Sequence, residues 1–181
     1  MPRTSHIATV LFALYAIIYV LAATFHGWDL HHALASAALA PLLIALTAID
    51  ISTFRLPDPL TLLVFVLGVV VAALTDLANM QWKLVAAALG SVGLLAISLA
   101  YQRVRGHAGL GLGDVKLYGA AGMWVGLDGL ASILLLACLA ALVDVAAAVV
   151  KGRQITSTTP LPFGPFLCFG FWTTWSFGPL V

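Results

Sequence analysis

The chain is built from apolar runs of roughly bilayer-spanning length that are separated by short polar loops. The runs cover approximately residues 7–24, 33–50, 59–75, 83–101, 115–127, 130–150 and 162–179. A helix needs about 20 mostly apolar residues to cross a bilayer, with about 17 as a lower limit. Only 8% of the residues are charged, whereas a water-soluble domain carries about 25%. We therefore expect an all-α, polytopic transmembrane helix bundle.

We expect about seven spans in a single membrane-embedded domain over residues 1–181, since the loops are too short to hold a second domain. The segment 115–127 measures only about 20 Å at 1.5 Å per residue, and treating it as re-entrant reduces the count to six. The first segment also resembles a signal peptide, because Arg3 precedes an apolar run. We expect this segment to be retained.

The basic residues are distributed unevenly between alternate loops. With a cytoplasmic N-terminus and seven crossings, the cytoplasmic side carries Arg3, Arg55, Arg103, Arg105, Lys116, Lys151 and Arg153. Lys83 falls on the other side, as the positive-inside rule predicts. A re-entrant 115–127 segment would move Lys151 and Arg153 outward. The seven-span topology places Asp50 and Asp114 at the cytoplasmic ends of their helices.

These two acids lie where apolar segments end or begin. Asp50 closes one run, and Asp114 opens another directly after Gly113. A carboxylate at the edge of hydrocarbon is costly, so each acid is a candidate functional residue. Asp114 can instead be a plain helix N-cap. Asp50 ends a helix, where the dipole disfavours an anion, and its alternative role is a salt bridge to Arg55.

Two carboxylates that meet can hydrolyse a peptide bond. Adjacent carboxylates cannot both ionise easily, so one keeps a proton at neutral pH. The ionised acid takes a proton from water, while the protonated acid polarises the scissile carbonyl and then protonates the leaving amine. Because this chemistry requires neither a metal nor a cofactor, we predict neither.

Glycine and proline residues near the acids are candidate substrate-access positions. Gly111 and Gly113 have no Cβ, so the chain can adopt a positive φ there and let another backbone approach closely. Pro162, Gly164 and Pro165 open the last apolar run and are compatible with an ordinary helix start. They can also form a rigid, non-helical edge that hydrogen-bonds an extended substrate. We therefore assign Gly111, Gly113, Pro162 and Gly164 to substrate access.

Three sequence elements, in this order, resemble those of type IV prepilin peptidases, the GxGD class of membrane aspartic proteases. They are Asp50–Pro57, Gly111–Leu117 and Pro162–Phe166. The resemblance implies that Asp50 and Asp114 are the catalytic pair. It also implies that the chain cuts a short basic leader from prepilin-like substrates, at the cytoplasmic face of the bacterial inner membrane. The expected partners are those substrates and the lipid bilayer, with no nucleic acid.

The chain also departs from the longer members of that family. Those members carry a four-cysteine cytoplasmic insert and methylate the new amino terminus, whereas this sequence has two cysteines, both within apolar runs. N-methylation is therefore not expected, and the chain resembles the short enzymes of tight-adherence (Flp) pilus systems. Asp58 stands where family members usually have Asn. We expect Asp58 to cap the third helix, with Pro59 in its first turn.

Two further charged residues receive structural interpretations. Lys116 lies two positions from Asp114, so on a helix the two side chains point apart. We expect Lys116 to contact lipid phosphates; the alternative is contact with an acid in the substrate. Asp144 lies inside the sixth apolar run, and we expect it to pair with Lys151 or Arg153.

The histidines and tryptophans near the predicted outer face also receive structural interpretations. We interpret His26, His31 and His32 as interface residues rather than metal ligands. Trp172 and Trp175 are interpreted as part of the aromatic belt at the membrane surface.

Two other functional classes remain open from the sequence. In a proton-coupled transporter, Asp50, Asp114 and Asp144 would form a proton relay. Inverted repeats would support that hypothesis, but the two halves of the chain show no convincing similarity. The other class is a non-catalytic membrane scaffold for a pilus machine.

Overall fold

The computed structural model describes residues 13–24, 29–106, 110–152 and 161–180, and within these ranges it contains helices and no strand. The helices are α1 (described over Ala13–Thr24), α2 (Leu30–Thr53), α3 (Asp58–Thr75), α4 (Met80–Arg105), α5 (Leu112–Val150) and α6 (Gly164–Phe177). A 3₁₀ turn, Leu77–Asn79, joins α3 to α4. The predicted all-α architecture is confirmed.

Four of these helices are long and apolar enough to cross a membrane: α2, α3, α4 with its preceding turn, and α5. The chain is therefore an integral membrane protein. Helix α6 has 14 residues, and the described part of α1 is also shorter than a full span. The count of seven crossings accordingly stays a prediction. Residues 7–12 of the first predicted segment lie outside the described residues.

Helix α5 consists of two helical arms that meet at Gly126. This residue has φ 72° and ψ −171°, a backbone conformation open essentially only to glycine. The Tyr118 hydroxyl in the first arm donates a hydrogen bond of 2.8 Å to the Leu130 carbonyl in the second. Along a straight helix, these residues would be about 18 Å apart, which is beyond the reach of a tyrosine side chain. The chain therefore folds back at Gly126, near the end of the predicted segment 115–127 and two residues before the predicted break.

Small residues let the first arm of α5 pack closely against α3 and α4. A Cβ on Gly122 would lie 2.7 Å from the backbone nitrogen of Ala87 in α4. On the other side, the Trp124 indole donates a hydrogen bond of 2.9 Å to the Val64 carbonyl in α3, and Gly68 leaves room for that ring. Close approach through small residues is how membrane helices associate. The first arm is thus wedged between α3 and α4.

The tryptophans of α6 pack between helices. Trp172 is fully buried, and its indole donates a hydrogen bond of 3.2 Å to the Tyr15 carbonyl. Trp175 donates to the Ser36 hydroxyl at 2.9 Å and stacks on His32, with ring centroids 4.3 Å apart. The expectation of an aromatic belt is therefore wrong for Trp172, whose side chain is buried between helices. For the half-buried Trp175 it stays a prediction. His26 lies outside the described residues.

Candidate active site

The end of α2 and the start of α5 meet at one end of the bundle. Asp50 lies in the last turn of α2, and Asp114 lies in the first turn of α5. Both carboxylates line one cavity of about 240 Å³, together with the α2–α3 loop residues Phe54, Arg55 and Leu56 and the glycine-rich segment before α5. The structure therefore brings the two acids together, although they are far apart in the sequence.

Asp50 is held by the start of α6. The residue is only 4% exposed, and its Oδ2 atom accepts a hydrogen bond of 3.1 Å from the backbone N–H of Gly164. Gly164 is the first residue of α6, and the positive end of a helix dipole favours an anion. This contact compensates for the unfavourable position of Asp50 at the end of α2.

The alternative of a salt bridge to Arg55 is not what the structure contains. Arg55 lines the cavity and is exposed. In the described part of the chain, the ion pairs are Lys83–Asp76 at 3.5 Å and Lys116–Asp58 at 2.7 Å. Asp50 therefore relies on a backbone donor rather than on a cation.

Asp114 is also held by a backbone donor at a helix start. It is 8% exposed, and its Oδ2 atom accepts a hydrogen bond of 3.3 Å from the N–H of Gly111. Gly111 is the N-cap residue of α5, so Asp114 is not the cap itself. It reaches back from the third helical position, as the acid of a capping box does. Among the hydrogen bonds of the described residues, the carboxylates of Asp50 and Asp114 thus each accept through Oδ2 only.

Gly111 and Gly113 do not adopt the positive φ that was expected from the sequence. Gly111 has φ −73°, and the glycines with positive φ in the described ranges are Gly106, Gly126, Gly152 and Gly178. The expectation of positive φ is therefore wrong. Close approach does occur at Gly113, where a Cβ would lie 2.8 Å from the Cβ of Leu56 and 3.4 Å from its backbone nitrogen and oxygen. The approaching backbone is the α2–α3 loop of the same chain.

Gly164 contacts Asp50 directly. Its N–H is already engaged by that carboxylate, and a Cβ on Gly164 would lie 2.7 Å from Asp50 Oδ2. Pro165 occupies the first turn of α6, as expected, and Pro162 lies in the non-helical segment just before it. In the sequence, the signal of this contact is only indirect: a glycine between prolines at a helix start. A substrate-access role for Pro162 stays a prediction.

Asp58 and Lys116 have different partners from those expected. Asp58 is the first residue of α3, while Pro57 is the N-cap and no side chain caps the helix. The Asp58 carboxylate instead accepts a hydrogen bond of 2.7 Å from Lys116 Nζ. The capping expectation is therefore wrong, and Lys116 binds this acid. Pro59 does lie in the first turn of α3, as predicted.

Asp144 is separate from the other two acids. It is exposed on the second arm of α5 and does not line their cavity. An ion pair with Lys151 does not occur in the described part of the chain, and Arg153 lies outside it. The three acids of the hypothetical proton relay therefore do not form one cluster.

Comparisons with known proteins agree with the resemblance found in the sequence. Three proteins named prepilin leader peptidase/N-methyltransferase are similar to this chain. The one from Burkholderia pseudomallei strain 1026b is 37% identical over 81% of this chain and 47% of its own length. The one from Xanthomonas campestris pv. campestris is 33% identical over 84% and 52%. The one from Aeromonas salmonicida strain A449 is 30% identical over 95% and 57%.

The chain thus spans about half the length of the curated relatives it matches. No solved structure matches it. Residues 37–145, which include both Asp50 and Asp114, match the family described as the type IV leader peptidase family. Because this match covers more than half of the sequence, the chain belongs to the type IV leader peptidase family.

Proposed function

We propose that this chain is a membrane aspartic endopeptidase that removes the leader from prepilin-like precursors. The observation that carries the proposal is the cavity lined by both Asp50 and Asp114. Two carboxyl groups facing one small space at the end of a membrane bundle form the pair that acid–base hydrolysis of a peptide requires.

In the proposed reaction, the two acids divide the proton transfers of hydrolysis. The pair holds one proton, and the ionised carboxylate accepts a proton from a water molecule in the cavity. The water oxygen bonds to the scissile carbonyl carbon, while the protonated carboxyl donates a hydrogen bond to the carbonyl oxygen. The carbon–nitrogen bond then breaks, and the amine leaves with a proton from the acid pair. One cleaved bond consumes one water and restores the original protonation.

The hydrogen bonds at the helix starts support this division of labour. The N–H groups of Gly164 and Gly111 each hold the Oδ2 atom of one acid. The Oδ1 atom of each acid is then the oxygen that can bind water or substrate. Anchoring each carboxylate through one oxygen fixes its orientation before the substrate arrives, which reduces the reorganisation needed in the transition state.

The proposed location of the cavity is the cytoplasmic face of the bacterial inner membrane. The same end of the bundle carries Arg55 in the α2–α3 loop and Lys116 in the first turns of α5. Lys83 is near the opposite end, next to Asp76. The positive-inside rule assigns the end richer in Lys and Arg to the cytoplasm. The proposed substrates are Flp-type precursors, and the names of the relatives support prepilins as the broader class.

The test is cleavage of a co-expressed Flp-type pilin precursor by Asp50→Asn and Asp114→Asn variants. An amide matches the shape of the carboxyl group but cannot transfer the proton, so each variant should leave the leader attached at wild-type protein levels. Asp144→Asn is the matched control, since Asp144 is an exposed acid outside the cavity, and it should cleave normally. Mass spectrometry of the precursor N-terminus provides the measurement. Normal cleavage by either cavity variant would contradict the proposal.

A further inference from the structure

A second and larger cavity lies next to the acids, with a volume of about 720 Å³. We call it the α3–α4 groove. Its walls are the segment of α3 from Asp58 to Phe65 and the segment of α4 from Leu84 to Ser91, and its floor is the first arm of α5 from Lys116 to Ala120. Each wall is about 10 Å long at 1.5 Å per residue. The groove therefore offers space for two turns of another helix.

The floor and the rim of the groove differ in side-chain size. Ala120 in α5 and Ala88 in α4 line the groove, whereas Gly119 lies against Ser91 and the Ala87 carbonyl of α4. Leu62 projects at the rim and is 62% exposed. Small residues let a second backbone come close, which is the main source of helix association in a bilayer. The lining therefore suits an apolar helix.

The groove has a polar mouth at the end that bears the acids. At the opposite end, α3 and α4 are joined by their short 3₁₀ turn and by the Asp76–Lys83 ion pair. At the near end, the Asp58–Lys116 pair lines the groove. The Asp58 side chain is 70% exposed, and its carboxylate can accept hydrogen bonds from the free N–H groups that begin a helix. Lys116 bonds the Oδ1 atom of Asp58, so the mouth offers the other carboxylate oxygen as an acceptor to a helix N-terminus.

The mouth of the groove lies close to the catalytic cavity along both chain segments that line it. Leu56 and Asp114 line the cavity, and Asp58 and Lys116, two residues further along the chain in each case, line the groove. Two residues span at most about 7 Å. A polypeptide whose helix begins at the Asp58–Lys116 pair therefore reaches the acids within a few residues of extended chain.

From these observations we infer that the α3–α4 groove seats the apolar membrane helix of the polypeptide that the acids cut, with the N-terminus of that helix at the Asp58–Lys116 pair. This inference rests on the proposed peptidase function. It adds a place where the substrate is recognised, since the basic surroundings of the cavity do not attract a basic leader.

The first test is site-specific photo-crosslinking of the full-length chain in bacterial membranes. A benzoylphenylalanine is placed at Leu62, on the rim of the groove, or at Leu99, which is exposed elsewhere, on α4. A tagged Flp-type pilin precursor is co-expressed. Illumination should give an enzyme–pilin adduct from position 62 at least about tenfold stronger than from position 99, a preference of about 1.4 kcal/mol. Equal adducts from both positions, or adducts of position 62 with lipid alone, would overturn the inference.

The second test uses Ala88→Trp and Ala96→Trp. A bulky ring at position 88 overpacks the groove, so cleavage of the membrane-embedded precursor should slow by at least about tenfold, or about 1.4 kcal/mol. Ala96→Trp should cleave at the wild-type rate. A wild-type rate for Ala88→Trp would refute the assignment of the α3–α4 groove as the substrate-helix site, but would leave aspartate-dependent cleavage unaffected. Cleavage that survives both Asp50→Asn and Asp114→Asn would instead refute the proposed function.

Discussion

Replacing Gly164 with alanine should slow the enzyme without unfolding it. Gly164 begins α6, and its φ is not positive, so an alanine can adopt the same backbone conformation. The added Cβ would lie 2.7 Å from Asp50 Oδ2 and 3.0 Å from Asp50 Cγ. Both distances are shorter than ordinary van der Waals contact, so the carboxylate must move away.

The size of the effect follows from the hydrogen bond that this movement breaks. The Gly164 N–H lies 3.1 Å from Asp50 Oδ2, and a hydrogen bond to a charged group contributes about 1.5–3 kcal/mol. Each 1.36 kcal/mol of transition-state stabilisation is a factor of ten in rate. If the contact orients Asp50 for catalysis, Gly164→Ala should lower the cleavage rate by about 10- to 100-fold.

The assay is the initial rate of leader removal from a purified precursor by the detergent-solubilised enzyme, alongside its thermal unfolding. Gly93→Ala is the matched control, because Gly93 is inside α4 and no atom lies within 4 Å of the Cβ it would gain. That variant should keep the wild-type rate and gain up to about 1 kcal/mol from helix propensity. A wild-type rate for Gly164→Ala would refute the argument that α6 positions Asp50.

Three further outcomes are expected. Gly113→Ala should lower the free energy of unfolding by about 1–3 kcal/mol in thermal denaturation, because its Cβ would lie 2.8 Å from Leu56 Cβ; unchanged stability would contradict this packing. Trp124→Phe should cost about 1–3 kcal/mol in the same assay by removing a buried indole hydrogen bond, and an unchanged melting temperature would argue against that bond. A cysteine at Thr53 should be shielded from an impermeant thiol reagent in intact cells, and one at Asn79 should react. The opposite labelling would contradict the proposed topology.

Local sequence patterns were sufficient to predict most of the helices. The apolar runs at 33–50 and 59–75 correspond to α2 and α3, because a bilayer-spanning helix requires a long apolar stretch whatever it packs against. The predicted break at residues 128–129 lies two residues beyond the bend at Gly126, which falls inside the predicted segment 115–127. Composition alone did not show that the two arms fold back on each other, since that depends on contacts such as the Tyr118–Leu130 hydrogen bond.

The partners of the acidic side chains could not be predicted in the same way. The alternative role considered for Asp50 was a salt bridge to Arg55, but its partner is the N–H of Gly164, 114 positions away. Asp58 was expected to cap its own helix, but it pairs with Lys116, 58 positions away. These contacts depend on how α6 packs against the end of α2 and how α5 packs against the start of α3, and local propensity carries no information about that packing. The meeting of Asp50 with Asp114 is likewise a tertiary feature.

The central claim is that Asp50 and Asp114 act as one unit on one water, and the most direct test is the coupling between their substitutions. Single-turnover rates of precursor cleavage should be measured for Asp50→Asn, Asp114→Asn and the double variant. Loss of acid–base catalysis should slow each single variant by at least about 10²–10⁴-fold. Residues that act as a unit show strongly non-additive effects, so the double variant should be no slower than either single one. A double variant slowed by the product of the two separate effects would show that the acids act independently, and would contradict the account.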